Sequence, residues 1–138
     1  MYQVVLDTNV ILAALKSRRG ASNRLLSLLP DPRWQPNLSV PVLLEYEEVL
    51  KRQASGFNAE EIERFLDSFA LLANHHEIFF LWRPTLPDAN DELTLELAVA
   101  SCSTVIITYN QKHYLGVETF GIEAVTPWEF LQRIGEKL

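Results

Sequence analysis

Short buried strands alternate with helical segments along this chain, and that alternation restricts it to a parallel sheet flanked by helices. Strand patterns occupy residues 3–6, 35–39, 77–82, 104–108 and 122–125. Val105, Ile106 and Ile107 show why: β-branched side chains fit a pleated, buried surface. Helical patterns occupy 10–16, 21–29, 41–52, 59–73 and 92–100, and a last helix starts at Pro127 with Trp128, Phe130, Leu131 and Ile134. Asn58 and Glu61 have capping-box spacing. Pro41 fits a first helical turn, where its missing N–H costs nothing. The 138 residues show no repeat, low-complexity tract or linker, so residues 1–138 read as one domain. In such sheets ligands bind beyond the carboxyl ends of the strands.

The net charge of −6 argues against a broad, sequence-independent basic footprint for nucleic acid. It does not exclude a nuclease, because metal ions offset an acidic site and a local basic rim can hold a strand. Lys16, Arg18, Arg19 and Arg24 lie close together early in the chain, as such a rim or as a solvated helix end and loop. A single cysteine, Cys102, excludes an internal disulfide and a multi-cysteine zinc site and fits a reducing, cytoplasmic setting. Cys102 itself reads as a small buried hydrophobe. No secretory leader is visible, and no apolar stretch approaches the roughly 20 residues of a membrane span.

Acidic residues stand where hydrophobic segments end. Asp7 closes Val4-Val5-Leu6 and opens Asp7-Thr8-Asn9; Glu45 follows Leu43 and Leu44; Asp88, Asp91 and Glu92 lead into the helix at 92–100. Burying a lone carboxylate is costly, and a shared divalent cation removes that cost. Oxygen-only clusters suit Mg²⁺ or Mn²⁺, and such ions at a phosphodiester can activate water and neutralise phosphate. Each acid has a structural alternative. Asp7 can cap a helix. Glu45, with Glu47 and Glu48 after it, can lie on a solvated face. Asp88, Asp91 and Glu92 can answer a helix macrodipole. His75, His76 and His113 show no paired metal-ligand spacing, and exposure or ordinary hydrogen bonding suits the first two.

Taken in order, these segments resemble the PIN-domain family over almost the whole chain. Val4-Val5-Leu6-Asp7-Thr8-Asn9-Val10 resembles its opening strand and first acid, and Val42-Leu43-Leu44-Glu45-Tyr46 its glutamate helix. Pro87-Asp88-Ala89-Asn90-Asp91-Glu92 resembles its central acidic motif, and Ile106-Ile107-Thr108-Tyr109-Asn110 its later strand and loop. Phe120-Gly121-Ile122, Val125-Thr126-Pro127 and Glu129-Phe130-Leu131 are similar to the closing strand and helix of a subgroup described as toxins of toxin–antitoxin systems. The resemblance implies a three-layer, Rossmann-like α/β/α sandwich and Mg²⁺- or Mn²⁺-dependent ribonuclease activity. It also implies RNA as substrate, inhibition by a small antitoxin, and frequent homodimers. By position, Asp7, Glu45 and Asp91 carry over as catalytic metal ligands. Asp88 takes a supporting role, and Glu92 is the neighbouring register, since some members place the key acid nearest the helix. Many members carry an aspartate where this chain has Asn110, and residues 108–113 contain no acid. An amide oxygen adds no charge, so a second ion would bind more weakly. His113 stands near this position.

The favoured reading is an endoribonuclease in which Asp7, Glu45 and Asp91 hold the metal. Thr8, Asn9, Asn110 and His113 then support the site, and Arg18, Arg19 and Arg24 hold RNA. The alternative is a catalytically weak or inactive PIN-like module that binds RNA or protein. A small-molecule phosphatase would also use an aspartate at a strand end, but Asp7-Thr8-Asn9 lacks its usual second aspartate.

Overall fold

The computed structural model describes residues 1–78 and 86–137. Its elements are β1 (Tyr2–Leu6), α1 (Thr8–Lys16), α2 (Ala21–Ser27), β2 (Trp34–Leu38), α3 (Val40–Gln53), α4 (Ala59–Leu72), β3 (Asn74–His75), α5 (Ala89–Ala100), β4 (Val105–Ile107), β5 (Glu123–Val125) and α6 (Pro127–Arg133). Two 3₁₀ turns, Gln111–Tyr114 and Val117–Phe120, connect β4 to β5. The strands form one parallel sheet in the order β3-β2-β1-β4-β5.

β1 is central, with Val4 paired to Pro36 on one side and Val105 on the other. Helices cover both faces, which is why Val4, Val5 and Leu6 are all fully buried and the run shows no polar alternation. α5 lies against β1, β2 and β4, and α3 packs on α5 and α4. α6 packs against α2, and its Phe130 meets Tyr2 and Trp34 edge-on at centroid distances of 5.4 and 5.8 Å. Asn37 donates to the Val4 carbonyl at 3.2 Å and its oxygen meets His76 Nε2 at 2.7 Å, so this buried amide stitches β2 to its neighbours.

Local chemistry explains where elements start and stop. Ser39, Thr126 and Asp7 each cap the helix that follows a strand. The Asn58–Glu61 capping box is present, and Pro41 lies in the first turn of α3. α2 stops at Ser27 rather than running to 29, because a residue before proline avoids helical geometry and Pro30 follows. α5 starts at Ala89, earlier than the sequence pattern suggests, because Asp88 accepts from the Asn90 N–H at 2.8 Å and so opens the helix. Of the strand expected at 77–82, Glu77 and Ile78 have no regular structure and 79–82 lie outside the described residues. The edge strand beside β2 is β3, two residues long and polar, with no apolar pattern to announce it.

Cys102 is a correction: it is exposed. It has a φ of 56° at the end of α5, where Cys102 and Ser103 donate to the Val99 and Ala98 carbonyls. This is the left-handed residue of a Schellman-type stop, a position that points outward and usually holds glycine. No helix among the described residues is long and apolar enough to cross a membrane.

Tyr46 ties α3 to the sheet. It is fully buried, and its hydroxyl donates to the Leu6 carbonyl at the end of β1. Tyr46→Phe removes that donor and leaves a buried carbonyl short of a partner. The expected loss is about 1–3 kcal/mol in urea-unfolding free energy; an unchanged midpoint would show that the bond contributes nothing net.

Candidate active site

β1 and β4 are adjacent and parallel, so the residues that follow them emerge at the same edge of the sheet. Those residues are Asp7 and Thr108. The Asp7 N–H continues the ladder onto the Ile107 carbonyl at 2.9 Å. Its carboxylate then receives the Thr8 N–H at 2.8 Å, the Thr108 hydroxyl at 2.7 Å and the Asn9 amide at 3.2 Å. Asp7 does cap α1, but the added bond from Thr108 is not part of capping. The Thr108 oxygen also accepts from the Asn110 N–H at 2.9 Å, and Asn9 accepts from the Tyr109 N–H at 3.3 Å. The loop beyond β4 is thereby fastened to the Asp7-Thr8-Asn9 turn.

Asp91 comes to the same place from the first turn of α5 and is only 8% exposed. Its Oδ1 accepts from the Tyr114 hydroxyl at 3.3 Å, and its Oδ2 lies 3.4 Å from His113 Nδ1. Tyr114 is buried, and its hydroxyl lies within electrostatic reach of Asp7. Glu45 is half-buried on α3, one residue before the Tyr46 anchor, within electrostatic reach of Asp7 and Asp88.

These acids disturb one another. Burial pushes the Asp7 pKa up, against the opposing pull of its hydrogen bonds from Thr108 and Thr8. Burial pushes Asp91 up to about 6, helped by the charges of Asp7 and Asp88. Burial also raises Glu45, with Glu48, Asp88 and Asp7 adding to it. Carboxylates that resist ionisation through burial and, for Asp91 and Glu45, through neighbouring like charges are a frequent mark of function.

The remaining candidates separate. Asp88 is exposed at the start of α5 and caps it. Glu92 is buried but turns back to accept from the Leu86 N–H, so of the two registers it is Asp91 that meets Asp7 electrostatically. Asn110 is exposed and tied to Thr108 by its backbone, while His113 and Tyr114 further along the same loop meet Asp91 through their side chains. Arg18 and Arg19 are exposed between α1 and α2 and form no ion pair among the described residues. Arg24 is engaged elsewhere: it pairs with Glu136 at 3.1 Å and donates to the Lys137 carbonyl, which fastens α2 to the chain end. His75 bonds to the Ala70 carbonyl at 2.7 Å.

The PIN domain profile matches residues 3–112. The chain belongs to the PIN domain family. Solved structures share the fold, two of them VapBC complexes. VapBC2 from Rickettsia felis, bound to a DNA fragment from its promoter, matches with a TM-score of 0.63 at 17% identity, over 90% of this chain and 98% of that one. VapBC-1 from nontypeable Haemophilus influenzae matches with a TM-score of 0.58 at 19% identity, over 91% and 98%. No curated protein matches this chain.

Two residues of this PIN domain site escape a reading of the acids alone. Thr108 stands at a strand end like Asp7, and that shared position is the signal that could have found it. Tyr114 carries no comparable signal, because a tyrosine in a loop reads as core or surface until the fold brings it to the acids.

The site makes stability depend on pH. Asp91 binds its proton more tightly folded than unfolded, so its contribution falls as pH rises from about 4 to about 6 and stays low above that. Asp91→Asn removes the penalty. Without metal, the stability gap in favour of the variant should open across that range to about 3 kcal/mol at most by neutral pH, read from chemical denaturation at stepped pH. A gap that does not vary with pH would mean the carboxylate is not destabilised in the fold.

Proposed function

We propose that this PIN domain is a divalent-metal-dependent endoribonuclease acting as the toxin of a toxin–antitoxin pair. The observation that carries the reading is the convergence of Asp7 and Asp91 at the carboxyl edge of the sheet, with Glu45 in electrostatic reach and all three resisting ionisation. A hard cation fits this donor set, since carboxylate oxygens are its preferred ligands and its charge would reverse the repulsion. Asp7, Asp91 and Glu45 are the residues proposed to hold it. As placed, no three His, Cys, Asp or Glu groups among the described residues close on a single point, so water would make up much of the shell, as is usual for Mg²⁺. When bound, such an ion supplies water activation and charge neutralisation at a phosphodiester.

The chain's own residues do the rest. Thr108, Thr8 and Asn9 fix the Asp7 carboxylate in one orientation. The Tyr114 hydroxyl does the same for Asp91. Proper orientation of the ligands removes reorganisation from the reaction itself. His113 lies beside Asp91 with its side chain half exposed, where it can meet an incoming phosphate or hand a proton to a leaving oxygen. Arg18 and Arg19 are exposed cations available to the strand. The proposed partner is an antitoxin, a reading supported by the shared fold with chains of two VapBC complexes.

The lack of an acid in residues 108–113 keeps open a binding module that does not cut. Incubation of the protein with single-stranded RNA decides between them. Cleavage should require Mn²⁺ or Mg²⁺, stop with a chelator, and fall at least about 100-fold in Asp7→Asn. That variant keeps an oxygen for the Thr8 N–H, so its fold should survive. Cleavage unchanged in Asp7→Asn would overturn the metal site; retention of RNA without cleavage at any metal concentration would favour the binding module. Asn110→Asp adds an anionic oxygen near the site and should raise the rate most at low Mg²⁺, in a metal titration of both proteins; identical titrations would place residue 110 outside the metal's environment.

A further inference from the structure

Tyr109 is aromatic and 45% exposed, yet it is not loose. Its N–H is held by Asn9 Oδ1 at 3.3 Å, and its hydroxyl meets the Ser22 hydroxyl on α2 at 2.6 Å. The residue is fastened through its backbone to α1 and through its hydroxyl to α2, and still offers surface to solvent. Together with Asn110, Gln111, Lys112 and His113 it lines a cleft of about 250 Å³. The cleft begins one residue past Thr108, which holds Asp7, and its far lining residue, His113, is 3.4 Å from Asp91. Gln111 is itself steadied by donating to the Ala124 carbonyl at 3.0 Å.

We propose that Tyr109 is a stacking platform that receives one unpaired nucleobase of a single-stranded RNA next to the acidic site. The inference rests on the ribonuclease reading and names how the substrate is gripped. Four observations converge on it. The cleft is smaller than the roughly 300–1,000 Å³ of sites that enclose a whole drug-sized ligand, which suits a single planar ring. Its lining residues are one tyrosine and four residues with polar side chains, which fits a ligand with a π-face and a hydrogen-bonding edge. Lys112 is an exposed cation with no ion pair among the described residues, placed to meet a flanking phosphate. The ring is already ordered, so little freedom is lost when a base stacks on it. A base locked in a duplex cannot reach such a ring, so single strands are selected over duplexes. Selection among the four bases is weak, because every base has a π-face.

Binding of a short fluorescein-labelled single-stranded RNA tests this, read by anisotropy with Ca²⁺ in place of Mg²⁺ so that affinity is measured without turnover. Tyr109→Leu should weaken binding by roughly 5- to 100-fold, and Tyr109→Phe, which keeps the ring and loses only the bond to Ser22, should retain most of the affinity. An RNA duplex should bind the native protein more weakly than the single strand. As a measurement independent of any variant, 2-aminopurine placed at successive positions of the RNA should be quenched at one position on the native protein. Native affinity in Tyr109→Leu, or no quenched position, would overturn the platform and leave the ribonuclease reading standing. Failure of the native protein to bind any single-stranded RNA would overturn both.

Discussion

The Thr108 hydroxyl reaches Asp7 at 2.7 Å, and through that bond the ends of two adjacent strands become one rigid edge. The same oxygen takes the Asn110 N–H, and Asn9 takes the Tyr109 N–H, so the loop after β4 inherits its position from β1. Tyr114 and His113 then arrive at Asp91 because that loop is anchored. Little of this could form if Asp7 were pointed elsewhere: the acid closes the strand, starts α1 and orders the loop with one side chain.

This arrangement sets stability against chemistry. Asp7 and Asp91 are buried close to each other's charge, and without a cation both resist ionisation. Part of the compensation lies in their hydrogen bonds, each of which favours the charged form. Far from the site, Arg33 grips Asp31 and Glu136, each at 2.7 Å, and Arg24 holds the same glutamate, which ties residue 136 to the segment before β2 and to α2. Arg24 reads in the sequence as a neighbour of Arg18 and Arg19, but the fold assigns it to this clasp.

What was legible in the sequence depended on how local its cause was. Strands buried on both faces, such as Val4-Val5-Leu6 and Val105-Ile106-Ile107, announce themselves by continuous apolar runs. Caps at Asn58 and Asp7 follow from a few neighbouring residues. β3 could not be read, because its two polar residues join the sheet only through β2. The acid site shows the same division. Asp7, Glu45 and Asp91 stand out as charges at the ends of apolar segments, whereas Thr108 and Tyr114 matter through partners 101 and 23 residues away. The outward turn of Cys102 escaped for a related reason: residue type suggested burial, and the geometry that ends α5 decided otherwise.

The β5 edge of the sheet has a consequence for self-association. β5 is three residues long, and its first side chain, Glu123, is clasped by both terminal nitrogens of Arg133 at 2.8 and 2.9 Å. A short strand carrying a charged, occupied side chain is a poor template for another chain's backbone. On that flank the molecule is guarded against the strand-by-strand growth that leads to fibrils, even though the sheet behind it is among the most apolar parts of the chain.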